Sequence, residues 1–181
     1  KYEDLTHNKG TSLTQKGREE GIRRLMSINL LKRLESSVYA FRLTIDRVYQ
    51  LIQSTIETIH AYQSGEQILD LQELSDADEF DLDDQNTDYF SVGRKIKIDL
   101  ADMDYFSWLR DLEKDADNLQ LLSLMIGDIT PEHDTKLQTL LNLIRDKQEH
   151  PINSGNRKII IFTAFSDTAD YLYHQVAPFV K

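Results

Sequence analysis

The chain has no cysteine, and only three prolines, seven glycines and one tryptophan among its 181 residues. Without cysteine there is no disulfide framework and no thiolate metal site, so a reducing cytoplasmic compartment is expected. No apolar run approaches the roughly 20 residues that span a bilayer, and no secretory leader is visible, so neither membrane spanning nor secretion is expected. The histidines His7, His60, His133, His150 and His174 are scattered, with no pairing at zinc-ligand spacing. No serine lies in the strand–turn–helix context of a hydrolase nucleophile. Glu132-His133-Asp134 offers an acid and a base side by side, but sequence neighbours on a helix point apart, so the trio reads as helix-start polarity. A free-standing enzyme has no catalytic constellation here.

What is present is charge: 29% of residues are charged and the net charge is −10. It is unevenly spread. Residues 1–64 hold ten Lys/Arg against seven Asp/Glu, residues 65–100 three against eleven, residues 101–150 five against eleven, and residues 151–181 three against two. An acidic total excludes a surface that embraces nucleic acid all round, because phosphate binding needs clustered cations. It leaves room for a local basic patch on the first segment.

Residues 1–20 read as a flexible, polar lead-in. From Ile22 to Ser64 there is neither Gly nor Pro, and apolar residues recur at Ile22, Leu25, Ile28, Leu31, Leu34, Val38, Phe41, Ile45, Val48, Ile52, Ile56 and Ile59. Steps of three and four predict one long helix with a near-heptad seam, roughly 60 Å from end to end. Its predicted partner is a helix over residues 99–126, with a stripe of Leu100, Met103, Leu109, Leu112, Ala116, Leu119, Leu122 and Ile126 and a stop at Gly127. Residues 21–127 are thus expected to form a long antiparallel helical hairpin, with Tyr105, Phe106 and Trp108 as packing anchors. An acidic loop at 66–98 would form its tip. Asp84-Gln85-Asn86-Thr87-Asp88 opens like a calcium loop, but Tyr89 replaces the required glycine and Lys95 falls at the closing glutamate, so no metal is expected there.

A connecting helix is expected within 128–150, with Leu137, Leu140, Leu141 and Ile144 on one face and Thr130 as a candidate N-cap before Pro131. The remainder, 151–181, reads differently. Lys158-Ile159-Ile160-Ile161-Phe162-Thr163 is apolar on both faces and predicts a buried strand at 158–163. Ser166, as N-cap, and the stripe Ala169, Leu172, Val176 predict a helix at 167–177 ending before Pro178. The fold class is therefore mainly α, a long antiparallel helical hairpin plus an additional helix, with a C-terminal strand–helix piece that begins an α/β unit. A lone parallel strand lacks neighbours, which suggests a segment cut from a longer protein; the initial Lys suggests the same. Isolated, the segment would self-associate through 158–163, or pair with residues 94–98, to cover its edge.

Three stretches carry a family resemblance. Residues 158–172 resemble motif IV at the start of the second RecA-like lobe in superfamily-two helicases. Asp134-Thr135-Lys136-Leu137-Gln138-Thr139-Leu140-Leu141 is similar to the helix that precedes it in Swi/Snf-type DNA translocases, and residues 25–37 are similar to the helix after the first lobe in bacterial members. They occur in family order. The resemblance implies an internal fragment joining the two motor lobes of a bacterial Swi/Snf-like helicase, with DNA as partner through the parent protein and the remaining motor lobes beside it. ATP and Mg²⁺ would belong to the parent. No cofactor is expected in this segment, which lacks the Gly-Lys-Thr/Ser phosphate loop and a magnesium-binding acidic pair and should be inactive alone. The same resemblance implies backbone-phosphate contacts from the candidate nucleic-acid residues Arg23, Arg24, Lys32, Arg33 and Thr163. A solvated helix face with ion pairs to Glu19, Glu20 and Glu35 is the simpler account of the arginines and lysine. The competing functional class is an acidic helical hairpin that docks protein partners.

Overall fold

A computed structural model describes residues 15–65, Leu100 and residues 103–180, and among them it is mainly helical with no strand. The helices are α1 (Gln15–Ser36), α2 (Val38–Ser64), α3 (Tyr105–Gly127), α4 (Thr135–Glu149) and α5 (Ser166–Val176), closed by the short 3₁₀ turn Ala177–Phe179. None is long and apolar enough to cross a membrane.

The continuous helix expected from residue 22 to 64 is two helices. Ser37 is extended (φ −157°, ψ 147°) and its hydroxyl accepts the Ala40 N–H at 3.0 Å, so it caps α2. A serine side chain offers the backbone an alternative to the helical bond, and one extended residue is enough to change direction. At the far end Gly65 adopts φ 73° and returns its N–H to the Ala61 and Tyr62 carbonyls, a left-handed stop that glycine accepts without strain.

Helices α2 and α3 form the expected antiparallel hairpin. Ser123 meets Asp46 at 2.6 Å, His60 lies 3.9 Å from Glu113, and Tyr62 packs edge-on against Tyr105, so one chain descends as the other rises. Ile56, Ile59, Leu100, Leu109 and Ala116 form the core, with Trp108 and Tyr105 packed against it. Phe106, expected as an anchor, is instead exposed, because at 100° per residue it lies about 100° around the helix from the packed face that carries Tyr105, Leu112 and Ala116. Helix α3 also starts later than expected, at Tyr105, with Asp104 accepting the Ser107 N–H as its cap.

The third helix keeps its predicted face: Leu137, Leu141 and Ile144 are buried. Its cap is Asp134, which accepts the Leu137 N–H at 3.0 Å, and Pro131 lies in a preceding turn rather than at the first helical position. Leu137 and Leu141 then join Tyr171 of α5 in a second small core beside Tyr39, Leu172 and Val176.

Two further expectations fail. Residues 158–163 pair into no ladder among the described residues, and Ile160 and Phe162 are 78% and 89% exposed. A run apolar on both faces becomes a strand only when neighbouring edges satisfy its backbone, and the suggested partner, residues 94–98, lies outside the described residues, as do the acidic loop and its calcium-like start. Helix α5 begins at Ser166 itself, with Phe165 in the cap position and no side-chain cap bond. The second failure concerns α1. Its predicted inward stripe, Leu25, Ile28, Leu31 and Leu34, is exposed, and Asn29 and Arg33 are buried in its place.

Candidate functional site at the helix junction

The reason for that inversion lies where α1 turns into α2. Arg33 is carried inward, and its Nη1 donates to Oδ2 of Asp167, 134 positions away, at 2.8 Å. Arg47, one helix later, grips the same carboxylate: Nη1 donates to Oδ2 at 3.1 Å and Nη2 to Oδ1 at 3.4 Å. The side chains of Arg33, Asp167 and Arg47 are 4%, 11% and 23% exposed. Two guanidinium groups thus share one carboxylate in largely dehydrated surroundings, where charge-assisted bonds are strong and a missing partner is costly. The Phe165 ring adds a further acceptor, with the Arg33 guanidinium 4.8 Å from its centroid. Asp167 occupies the first turn of α5, where backbone N–H groups favour a negative charge.

Hydroxyl groups surround the ion cluster. Ser36 and Thr168 Oγ atoms lie 2.8 Å apart, Ser37 and Thr168 3.2 Å, and Ser36 and Thr163 3.4 Å. Thr163 also accepts the Phe165 N–H at 3.3 Å, which turns the chain from the extended segment into α5. From the other side Lys136 of α4 donates to the Glu35 carbonyl and, at 3.0 Å, to the Ser36 carbonyl. An ammonium group there satisfies the last carbonyls of α1 and opposes the negative end of its dipole.

A second tie lies next to the first. Tyr171 donates its hydroxyl to Oδ2 of Asp134 at 3.0 Å, and its ring stacks on Tyr39 with centroids 4.9 Å apart. Burial, then the bond to Asp134, push the Tyr171 hydroxyl well above its ordinary pKa, so it stays a neutral donor. Arg42 lies over the other ring of the stack, 5.6 Å from the Tyr39 centroid. These residues line a cavity of about 210 Å³ that continues to Ile126 and Ile129. Asp134 uses both carboxylate oxygens, one for the α4 cap and one for Tyr171.

The five candidate nucleic-acid residues are therefore divided. Arg33 is consumed inside the fold by Asp167 and contributes no surface charge. Thr163 is exposed and faces Ser36 at the C-terminal end of α1; Lys32, exposed, is one turn before Ser36 on the same face. Arg23 and Arg24 are exposed further back along α1. Nine residues separate Arg23 from Lys32, which places them on opposite sides of the helix and about 13 Å apart along it. No single cationic patch unites them. Reasoning from sequence gave neither Asp167 nor Arg47 a part. One signal was available: Arg33 is followed one turn later by the small hydroxyl residues Ser36 and Ser37, a pattern a solvated helix face does not require.

Among the described residues no group of three or more His, Cys, Asp or Glu side chains is placed to hold a metal ion. The junction holds no nucleophile–base pair; its chemistry is that of a clamp. No protein-family model matches the chain, and neither curated proteins nor solved structures give a match.

Proposed function

We propose that the chain is the inter-lobe helical segment of an ATP-dependent DNA helicase or translocase of the bacterial Swi/Snf-like kind. It would couple the two motor lobes mechanically, with DNA-backbone contact through Thr163 and the exposed cations of α1, and would hydrolyse nothing by itself. One observation carries the reading. The three stretches that resemble the family are far apart in sequence yet meet at one junction: Arg33, Ser36 and Ser37 from the first, Asp134 and Lys136 from the second, Thr163, Asp167 and Thr168 from the third. A dehydrated ion cluster at that meeting point makes a stiff joint, and lobe motion is transmitted only through stiff elements. In the parent protein residues 158–163 would enter the parallel sheet of the second lobe, which covers Ile160 and Phe162. ATP and Mg²⁺ would be held by the parent, in the cytoplasm.

The coding frame on either side of this segment tests the proposal. A Gly-Lys-Thr or Gly-Lys-Ser loop upstream and an arginine-rich motif downstream are expected; a frame carrying neither removes the motor reading. Purified residues 1–181 should show no ATP turnover with Mg²⁺ and DNA, and turnover that copurifies with the chain also removes it.

A second reading is an acidic helical hairpin that docks protein partners. The outer face of α3 favours it, since Leu121, Leu124 and Met125 are exposed there. Residues 76–88 supply further negative charge, and capture of a basic partner should weaken when they are deleted.

A further inference from the structure

Two helices present apolar side chains to solvent, and their flanking charges are opposite. On α3, Leu121, Leu124 and Met125 are 60%, 66% and 64% exposed. At 100° per residue they share an arc of about 100° with Asp117 and Asp128. Asp117 lies one turn before Leu121 and Asp128 one turn beyond Leu124, and both are exposed. The result is an apolar centre with a carboxylate at each end.

On α1 the order of charge is reversed. Ile28 and Leu31 are 42% and 62% exposed, with Leu25 and Leu34 at their margins. Arg24 precedes Ile28 by one turn and Lys32 follows it by one turn, both exposed. Beyond these cations the arc carries a carboxylate at each end, Glu20 one turn before Arg24 and Glu35 three residues after Lys32, both exposed. Along the axes the cations are about 12 Å apart and the carboxylates about 16 Å, a difference that the flexible stems of Arg and Lys span easily.

Four exposed leucines or isoleucines on one helix and three apolar side chains on another form contiguous patches of the kind that mark interaction surfaces rather than isolated surface residues. The burial of Arg33 explains why α1 has this outer row. Turning Arg33 inward to Asp167 rotates Ile28 and Leu31 outward, and nothing within the described chain covers them.

We propose that a second copy of this chain covers both patches: α1 of one protomer lies on α3 of the other, and the reverse contact completes a two-fold dimer. Arg24 and Lys32 meet Asp117 and Asp128 across each contact, around an apolar centre of Ile28, Leu31, Leu121, Leu124 and Met125. The inference does not depend on the motor reading. It also differs from association through 158–163, because it uses helix faces and no strand edge. Two-fold pairing of unlike patches buries each patch once per protomer and leaves none exposed for further growth, so it stops at the dimer. Opposite end charges fix which face meets which, since like-charge juxtaposition in any other register is repulsive.

Sedimentation velocity of the whole 181-residue chain at tens of micromolar is the test. A salt-sensitive dimer is expected. Leu124→Asp and Ile28→Asp should each weaken it by on the order of tenfold or more, with the helical circular dichroism unchanged because both positions are exposed. A charge-reversed pair keeps the test independent of any folding defect. Asp117→Lys with Asp128→Lys, and separately Arg24→Glu with Lys32→Glu, should each be monomeric, and mixing the two should restore a heterodimer. A monomeric wild type overturns the proposal. So does a failure of the mixture to associate, and so does a dimer that survives these changes but disperses in Ile160→Lys, which would place the contact at residues 158–163.

Discussion

Replacing Asp167 by Asn is the most direct perturbation of the junction. The shape of the side chain is kept and its charge removed, so Arg33 and Arg47 lose their shared counter-ion while remaining in place. Arg33 is 4% exposed and has no route to water without movement of α1; Arg47, at 23%, can turn toward solvent. Breaking a buried pair from one side costs about 3–5 kcal/mol, because the remaining charge is stranded. Asn retains one acceptor and Arg47 can rehydrate, so the lower end, about 3 kcal/mol, is expected here. For a chain of this size that corresponds to a fall of about 6–12 °C in midpoint temperature. Urea unfolding followed at 222 nm measures the loss, and amide exchange locates it in α5 and at the end of α1. The double variant Asp167→Asn with Arg33→Met should recover most of it, since the stranded cation is gone. A loss below about 1 kcal/mol for Asp167→Asn, or no recovery in the double variant, would refute the account of the junction as a charge-balanced clamp.

Ile59, 1% exposed at the centre of the α2–α3 core, should cost about 2–5 kcal/mol when changed to Ala, measured by urea unfolding. Tyr171 is held protonated in the fold, so its contribution is complete below its ordinary pKa of 10.0 and is lost as pH rises above it. Tyr171→Phe should flatten stability against pH above pH 10 and cost about 1 kcal/mol at neutral pH through the lost bond to Asp134. The Ser107 hydroxyl and N–H lower the pKa of Asp104, the α3 cap, so its contribution is present above the ordinary 3.8 and lost as pH falls below that value. Asp104→Ala should lower the midpoint at neutral pH while leaving it little changed in strong acid, so that this part of the acid limb disappears, and should speed amide exchange at Ser107.

Periodicity alone determined the hairpin. Ile45, Ile56 and Ile59 on α2 and Leu109, Ala116 and Ile126 on α3 are buried as their three- and four-residue spacing requires, because a helix carries its face in the local order of its residues. The stripe of α4 and the end of α3 at Gly127 were legible for the same reason. Ser37 was not. A lone serine in a helical pattern is compatible with continuing or capping, and the choice rests on what α1 packs against once the chain turns. The inversion of α1 is the clearest case. Its leucine row had every local mark of a core face, yet Arg33 faces inward because Asp167, 134 residues later, supplies the charge that makes burying a guanidinium tolerable. Spacing within one helix cannot encode a partner on another. The segment 158–163 failed in the opposite sense, since a strand is defined by its neighbours' hydrogen bonds and not by its own side chains. Sequence therefore settled what depends on residues three or four apart; the clamp, the outward row of α1 and the unpaired Ile160 and Phe162 were decided only where distant segments met.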